Sequence, residues 1–350
     1  MQHQSQIYRI SIDAMGGDHG LPVTVPATVA ALKKNPHLHI TLVGDQAQIA
    51  AALKKTKGKY PADRLDIHHT SQVVEMDESP ALAMRNKKDS SMRVAINLVK
   101  TGQVNACVSA GNTGALMAIA KFVLKTLPEI DRPAIVYAIP SYDRTTKTMQ
   151  SVYQLDLGAN VNCSSEQLFQ FGLMGSILAS HIQNKKAPRV SLLNIGEEEM
   201  KGLDNIRHAA ELLKKCQLIN YTGYVEGNDI FTACTDVIVC DGFVGNATLK
   251  TMEGTAKLVG DIMSHSFKRN WFAKLTMLAA APTLRHIKKR LNTDQYNGAS
   301  LLGLKGTVVK SHGSAGANAF QTAIESAIDE IKHDIPNKIQ ANIETILHAT

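Results

Sequence analysis

Aromatic residues are scarce: Phe, Trp and Tyr make up 5% of the 350 residues, and tryptophan occurs once. The core must therefore be aliphatic, built from Val, Ile, Leu and Ala as in α/β proteins. Five cysteines, an odd number with no Cys-x-x-Cys pair, argue against a disulfide framework and against a zinc ribbon. No apolar run approaches the ~20 residues that span a bilayer. The start (Gln2, His3, Gln4, Ser5, Gln6) is polar and lacks a signal peptide's apolar run, so a cytosolic location is expected. The dinucleotide fingerprint G-x-G-x-x-G is absent, as is the lysine-bearing P-loop G-x-x-x-x-G-K-[ST].

What is present is a repeated unit. With 44% hydrophobic residues the chain can bury a large core, in one large domain or two smaller ones. Short apolar runs end in Asp or Asn beside Gly, and each then enters a helical pattern. The units are Ile7–Ile12 with Asp13-Ala-Met-Gly-Gly-Asp18, Val104–Ser109 with Ala110-Gly-Asn-Thr-Gly114, and Tyr153–Leu155 with Asp156-Leu-Gly-Ala-Asn160. Val190–Leu193 leads into Asn194-Ile-Gly-Glu-Glu-Glu-Met-Lys201, and Val237–Val239 into Asp241-Gly-Phe-Val-Gly-Asn246 with a helix starting near Asn246. Strand, loop, helix in succession is the rhythm of a parallel sheet. Ligands on such sheets sit at the carboxyl ends of strands, against helix N-termini. Core packing does not demand polar strand ends, so one shared cleft is the economical reading.

Several residues stand out on that reading. Gly242 and Gly245 would let backbone approach a ligand beside Asp241. Arg85, Lys87 and Lys88 precede Asp89-Ser90-Ser91, a hydroxyl-rich helix start suited to phosphate or to plain capping. The Ala110–Gly114 turn reads as a general anion cradle. Ser311-His312-Gly313-Ser314 lies between a strand and a helix, where His312 could touch substrate. Asp66, His68 and His69 alternate faces on a short strand, so no metal is expected there.

The charge is localised. Between Ile262 and Thr293 stand Lys268, Arg269, Lys274, Arg285, Lys288, Lys289 and Arg290 without an Asp or Glu, which accounts for the net +7 of the chain. Phe267, Trp271, Leu275 and Leu278 share one helical stripe; Leu284, Ile287 and Leu291 make another after Pro282. The spacing predicts an amphipathic basic helical hairpin over 262–293, set into a core of 7–261 and 294–350. Trp271, Leu275 and Leu278 would meet a membrane surface, or a dimer contact would cover them. A nucleic-acid site is disfavoured, because the bases cluster on one apolar hairpin.

Ile12-Asp-Ala-Met-Gly-Gly-Asp18, Ser109-Ala-Gly-Asn-Thr-Gly-Ala-Leu116, Asn194-Ile-Gly-Glu-Glu-Glu-Met-Lys-Gly202, Val239-Cys-Asp-Gly-Phe-Val-Gly-Asn246 and Lys310-Ser-His-Gly-Ser314 together resemble the bacterial phosphate acyltransferase family. The resemblance covers nearly the whole chain in matching order. It implies an αβα sandwich of the isocitrate/isopropylmalate dehydrogenase and phosphotransacetylase group, with a mostly parallel sheet and two lobes around a cleft. It implies transfer of a fatty acyl group from acyl carrier protein to inorganic phosphate for phospholipid synthesis. A homodimer, peripheral membrane association and handover to a membrane glycerol-3-phosphate acyltransferase go with it, and no cofactor. Asn162-Cys-Ser-Ser165, Gly202-Leu-Asp-Asn205 and Gln154 depart from the family's pattern.

On that reaction, Asn112 and Thr113 with the Gly111 and Gly114 backbone are assigned to phosphate, and Lys88 and Arg85 to its charge. Asp241 and Asn246 would orient the substrate or the carrier thiol. His312 would polarise the carbonyl or bond phosphate, with Gly242, Gly245 and Ser311 in contact with substrate. Asp13 and Asp18 would shape the loop. No Ser-His-Asp or Cys-His arrangement is evident in the sequence, so direct transfer is expected. A coenzyme A-dependent phosphotransacetylase, a metal-dependent decarboxylating dehydrogenase and a membrane-docked scaffold are the rival readings.

Overall fold

The computed structural model describes residues 7–56, 60–269, 271, 276–278, 280–284 and 293–349. Eleven strands form one sheet: β1 (Tyr8–Asp13), β2 (Leu38–Gly44), β3 (Leu65–His69), β4 (Ala106–Ser109), β5 (Ala134–Asp143), β6 (Thr148–Leu155), β7 (Arg189–Leu193), β8 (Asn220–Val225), β9 (Val237–Val239), β10 (Ala299–Leu302) and β11 (Thr307–Lys310). Among the described residues the α-helices used below are α1 (Leu21–Lys34), α2 (Gln46–Lys55), α3 (Pro80–Asn86), α4 (Ser91–Lys100), α5 (Thr113–Leu124), α6 (Ser165–Ile182), α7 (Asp204–Lys215), α8 (Gly242–Lys268), α9 (Ala317–His333) and α10 (Ile335–Ala349).

The strand order is β3-β2-β1-β4-β11-β10-β5-β6-β9-β7-β8. β3, β2, β1, β4 and β11 are mutually parallel, and so are β6, β9, β7 and β8. Only β11–β10, β10–β5 and β5–β6 pair antiparallel, which makes the sheet mostly parallel and reverses the second block against the first. A sheet twists by roughly 20–25° per strand. Over the strands between β4 and β9 that twist turns the carboxyl ends of the second block back toward those of the first. Two lobes facing one cleft result.

Period-two alternation explains the layers. In β1, Ile10 and Ile12 point into a cluster with Val25, Val29 and Leu32 of α1 and Phe320 and Ile324 of α9. Ser11 points the other way, where its hydroxyl donates to Ala95 of α4 at 2.8 Å. On that second face Met92, Ile96, Leu116 and Ile119 of α4 and α5 cover Cys107 and Val308. The second lobe repeats the design with Phe171, Met174 and Leu213 packed on Val190, Val237 and Val239.

Helix α8 differs from its expected form. It begins at Gly242 with Asp241 as its cap, the Asp241 carboxylate accepting from the Val244 N–H at 2.8 Å, rather than near Asn246. It then runs unbroken to Lys268, through residue 262 where the hairpin was expected to start, and no residue from 251 to 268 is buried. Leu275 and the basic residues Lys274, Arg285, Lys288, Lys289 and Arg290 lie outside the described residues. Trp271 and Leu278 are described and exposed, at 73% and 70%. No helix of the described residues is long and apolar enough to cross a membrane.

Candidate active site

The site is built from the ends of three neighbouring strands. Ile12 pairs with Val108, and Lys310 with Ser109, so Asp13, Ser109 and Lys310 form one row at the carboxyl edge. Asp13 is fully buried, and the hydroxyls of Ser91 and Ser109 donate to its carboxylate at 2.6 and 2.7 Å. Burial raises its pKa, and the two hydroxyls with the Gly16 and Met15 N–H groups oppose the rise. Ser109 in turn accepts from the Gly111 N–H at 3.0 Å, which pins the start of the next loop. Gly16 is obligatory here: a Cβ would stand 2.4 Å from Asp13 Oδ2 and 3.0 Å from Gly111 N.

The loop from Ala110 enters α5 through Asn112. The Asn112 carbonyl oxygen caps the helix, accepting from Ala115 N–H at 3.0 Å, while its amide donates to the carbonyls of Met76 and Glu78, both at 2.9 Å. The side chain is thus committed to the protein. What it leaves toward the cleft are the first N–H groups of α5, at Thr113 and Gly114, which have no acceptor within the helix. A Cβ on Gly114 would come 2.8 Å from Pro80, so this glycine seats α5 against α3. Arg85, at the end of α3, and Lys88 just after it are exposed. The Asp89 carboxylate accepts from the Ser71 hydroxyl at 2.6 Å, and Ser90 caps α4.

Helix α8 brings the other lobe to this edge. Lys250 is bonded to Glu253 at 2.8 Å, and Glu253 faces His312 Nε2 at 3.7 Å. His312 Nδ1 lies 2.9 Å from the Ser314 hydroxyl and accepts from the Ser314 N–H at 3.3 Å. That bond places the ring proton on Nε2, toward Glu253. Ser314 thus bonds one side of the His312 ring, and the Glu253 carboxylate stands 3.7 Å from the other, a juxtaposition the sequence did not reveal. Ser311 is buried, and its hydroxyl accepts from Asn297 at 2.7 Å, while Asn297 Oδ1 receives the His312 N–H at 3.0 Å.

Asp241, Gly242, Gly245 and Asn246 belong to the start of α8. Asn246 is exposed and follows the helix face that carries Lys250 and Glu253 at i+4 and i+7. The two glycines serve protein packing: a Cβ on Gly245 would meet the Asp156 carbonyl oxygen at 1.9 Å, and one on Gly242 the Asn160 oxygen at 2.6 Å. Asp156 is itself buried and accepts from the N–H groups of Ile135 and Asn160 at 2.9 and 2.6 Å. The departures from the family pattern have local partners. Gln154 donates to Thr248 of α8 at 3.0 Å, Ser164 and Gln167 form a capping box on α6, and Asn205 donates to the Cys163 carbonyl at 2.9 Å.

The structure thus joins the Gly111–Gly114 loop, Ser311, His312 and Ser91 of the hydroxyl-rich helix start with three residues that sequence reasoning did not assign: Lys250, Glu253 and Lys310. One signal was available. A lysine closing the apolar run Thr307-Val-Val-Lys310 is out of place in a buried strand. An open groove of about 840 Å³ between α1 and α2, lined by Leu21, Val25, Val29 and Lys55, shares no residue with this set.

The family model described as fatty acid synthesis protein matches residues 8–338. The chain belongs to the bacterial phosphate acyltransferase family. It is 60% identical over 346 residues to the phosphate acyltransferase of Francisella philomiragia, covering 97% of this chain and 99% of that one. The same identity and coverage hold for the phosphate acyltransferase of Francisella tularensis subsp. tularensis. The chain is therefore an acyltransferase. A phosphotransacetylase from Streptococcus pyogenes shares the fold at a TM-score of 0.62 with 16% identity, over 93% of this chain and 94% of that one. A branched-chain phosphotransacylase from Enterococcus faecalis does so at 0.55 with 13% identity, over 93% of this chain and 100% of the other.

Proposed function

We propose that this acyltransferase moves a fatty acyl group from the thioester of acyl carrier protein to inorganic phosphate, and that the acyl phosphate enters phospholipid synthesis. The observation that carries this reading is the convergence at one edge of the free N–H groups opening α5, the uncapped start of α9 at Gly316, and the Lys250–Glu253–His312 chain from the facing lobe. Helix starts and cations suit a dianionic nucleophile. A phosphate oxygen attacks the thioester carbonyl carbon, a C–O bond forms and the C–S bond breaks. The proton of hydrogen phosphate ends on the departing thiol. The demands are in-line positioning and stabilisation of the carbonyl oxygen, and His312 Nε2–H is the donor assigned to the second. Initial rates with palmitoyl-acyl carrier protein and palmitoyl-coenzyme A at equal concentration test the donor. A preference for coenzyme A would replace this reading by a coenzyme A-dependent phosphotransacetylase.

The Ser314–His312–Glu253 juxtaposition supports a second reading, in which Ser314 is acylated before phosphate takes the group. Ser314 follows His312 by two residues and also donates its N–H to the ring, which is the geometry of a local turn. Direct transfer is therefore preferred. Acyl-Ser314 trapped by acid quench during turnover, together with an inactive Ser314→Ala protein, would establish the second.

Two surface features extend the proposal. Leu258, Val259 and Ile262 of α8 are exposed at 58%, 47% and 57%, an apolar strip suited to a second copy in a homodimer. Beyond it, Trp271 and Leu278 suit a membrane surface, where the labile product would pass to a glycerol-3-phosphate acyltransferase. A Trp271→Glu protein that still sediments with anionic vesicles as the wild type does would count against membrane docking.

A further inference from the structure

Lysine is seldom buried, yet Lys310 closes β11 at 8% exposure. Val308 packs beneath α4 and α5, and two residues on the chain alternation returns Lys310 to the same face, beside Ser109 in the row with Asp13. Asp13 forms no ion pair with it; its two carboxylate oxygens accept from Ser91 and Ser109. The ammonium instead donates to two main-chain carbonyls, Ala110 at 3.2 Å and Ser311. Those carbonyls belong to the two loops that open α5 and α9. A third N–H belongs to the same group. A cation buried without a contacting counter-ion is costly, and an anionic ligand offsets that cost. The groups around it come from three elements: Asp13 on β1, Asp18 on the following loop and Lys250 on α8. Burial lowers the Lys310 pKa to about 8, with Asp13 and Asp18 opposing the fall and Lys250 adding to it.

We propose that Lys310 is the cation on which inorganic phosphate docks, at the junction of the β4–α5 and β11–α9 loops. This deepens the proposed function and rests on phosphate being the acyl acceptor. Arg85 and Lys88, the cations first suggested by the sequence, are exposed, whereas Lys310 is buried. Lys310 supplies the floor of the anion site, and Lys250 on α8 adds positive charge nearby.

The test is phosphate protection of the full chain against thermal unfolding, without an acyl donor and at constant ionic strength. Wild type, Lys310→Met and Lys310→Arg are compared near pH 7.5 and near pH 9.5. In wild type, phosphate raises Tm near pH 7.5 and protects less near pH 9.5, where Lys310 has lost its proton although phosphate is more fully dianionic. Lys310→Met needs roughly tenfold more phosphate or more for the same protection, the size of one charge-assisted hydrogen bond. Lys310→Arg keeps part of the protection and loses the decline at high pH. A folded Lys310→Met protein with wild-type protection overturns the proposal. If that variant does not fold, undiminished wild-type protection near pH 9.5 overturns it. Absence of phosphate protection in wild type overturns it together with the phosphate reading. Protection lost in Lys310→Met, beside a wild type that releases no thiol from any donor, supports the anion site and removes only the transfer reaction.

Discussion

Replacing Asn112 separates a group that builds the site from a group that binds substrate. Its carbonyl caps α5 and its amide holds two carbonyls of the 75–78 loop. Asn112→Ala removes an N-cap, worth about 1 kcal/mol, and two partly buried hydrogen bonds, worth about 0.5–1.5 kcal/mol each. The sum is a loss of about 2–4 kcal/mol. Asn112→Asp keeps the cap but sets a carboxylate against the Met76 and Glu78 carbonyls, so it recovers no more than the cap's ~1 kcal/mol. Urea unfolding followed by circular dichroism reads both losses, and steady-state rates read the phosphate KM. The expected result is a clear fall in the urea midpoint, with phosphate KM rising only as far as the loosened loop disturbs the Thr113 and Gly114 N–H groups. A wild-type midpoint with phosphate KM raised more than tenfold would refute the reasoning, because it would mean that the amide points at phosphate.

Further outcomes follow from the same geometry. Glu330 is buried and accepts from the Ser300 hydroxyl at 2.9 Å, and burial raises its pKa from 4.5 to about 7. The group is neutral in both states below about pH 4.5, while above about pH 7 the fold must hold a buried carboxylate, so stability falls across that interval by about 3 kcal/mol. Glu330→Gln flattens that slope; urea midpoints near pH 5 and pH 8 that change equally in both proteins would contradict it. Gly245→Ala forces α8 off the Asp156 carbonyl and costs about 1–3 kcal/mol or more, so wild-type thermal stability of that variant would count against the packing described. His312→Ala lowers kcat by roughly 10²–10³ if Nε2–H stabilises the carbonyl oxygen, and Glu253→Gln lowers it less; a wild-type kcat for His312→Ala would remove His312 from the mechanism.

The strand–loop–helix rhythm was legible because buried strands such as Val237–Val239 and polar strand ends such as Asp13 mark themselves in one dimension. The pairing was not. Whether β10 lies between β11 and β5, and which block runs backward, depends on contacts between residues such as Ser300 and Val136 that no local pattern records. Functional roles were blurred for a different reason. Asn112 before a helix reads the same as a cap or as a ligand, and Gly242 and Gly245 read the same whether substrate or the Asp156–Asn160 loop needs the space. Lys310 went unassigned because lysine is expected at the surface. Ser314, His312 and Glu253 come together only when α8 crosses to the other lobe. The start of the expected insertion at 262 was drawn from a shift in charge, which α8 ignores: no proline stands between Gly242 and Lys268, and Gly254 and Gly260 are tolerated within the helix.

The central claim is acyl transfer to phosphate, and trapping the product tests it most directly. Purified protein is incubated with palmitoyl-acyl carrier protein, with and without phosphate, and hydroxylamine is added to capture acyl phosphate as the hydroxamate. The account predicts thiol release and hydroxamate that both require phosphate and form in equal amounts. Thiol release without phosphate, or no hydroxamate when phosphate is present, would contradict it.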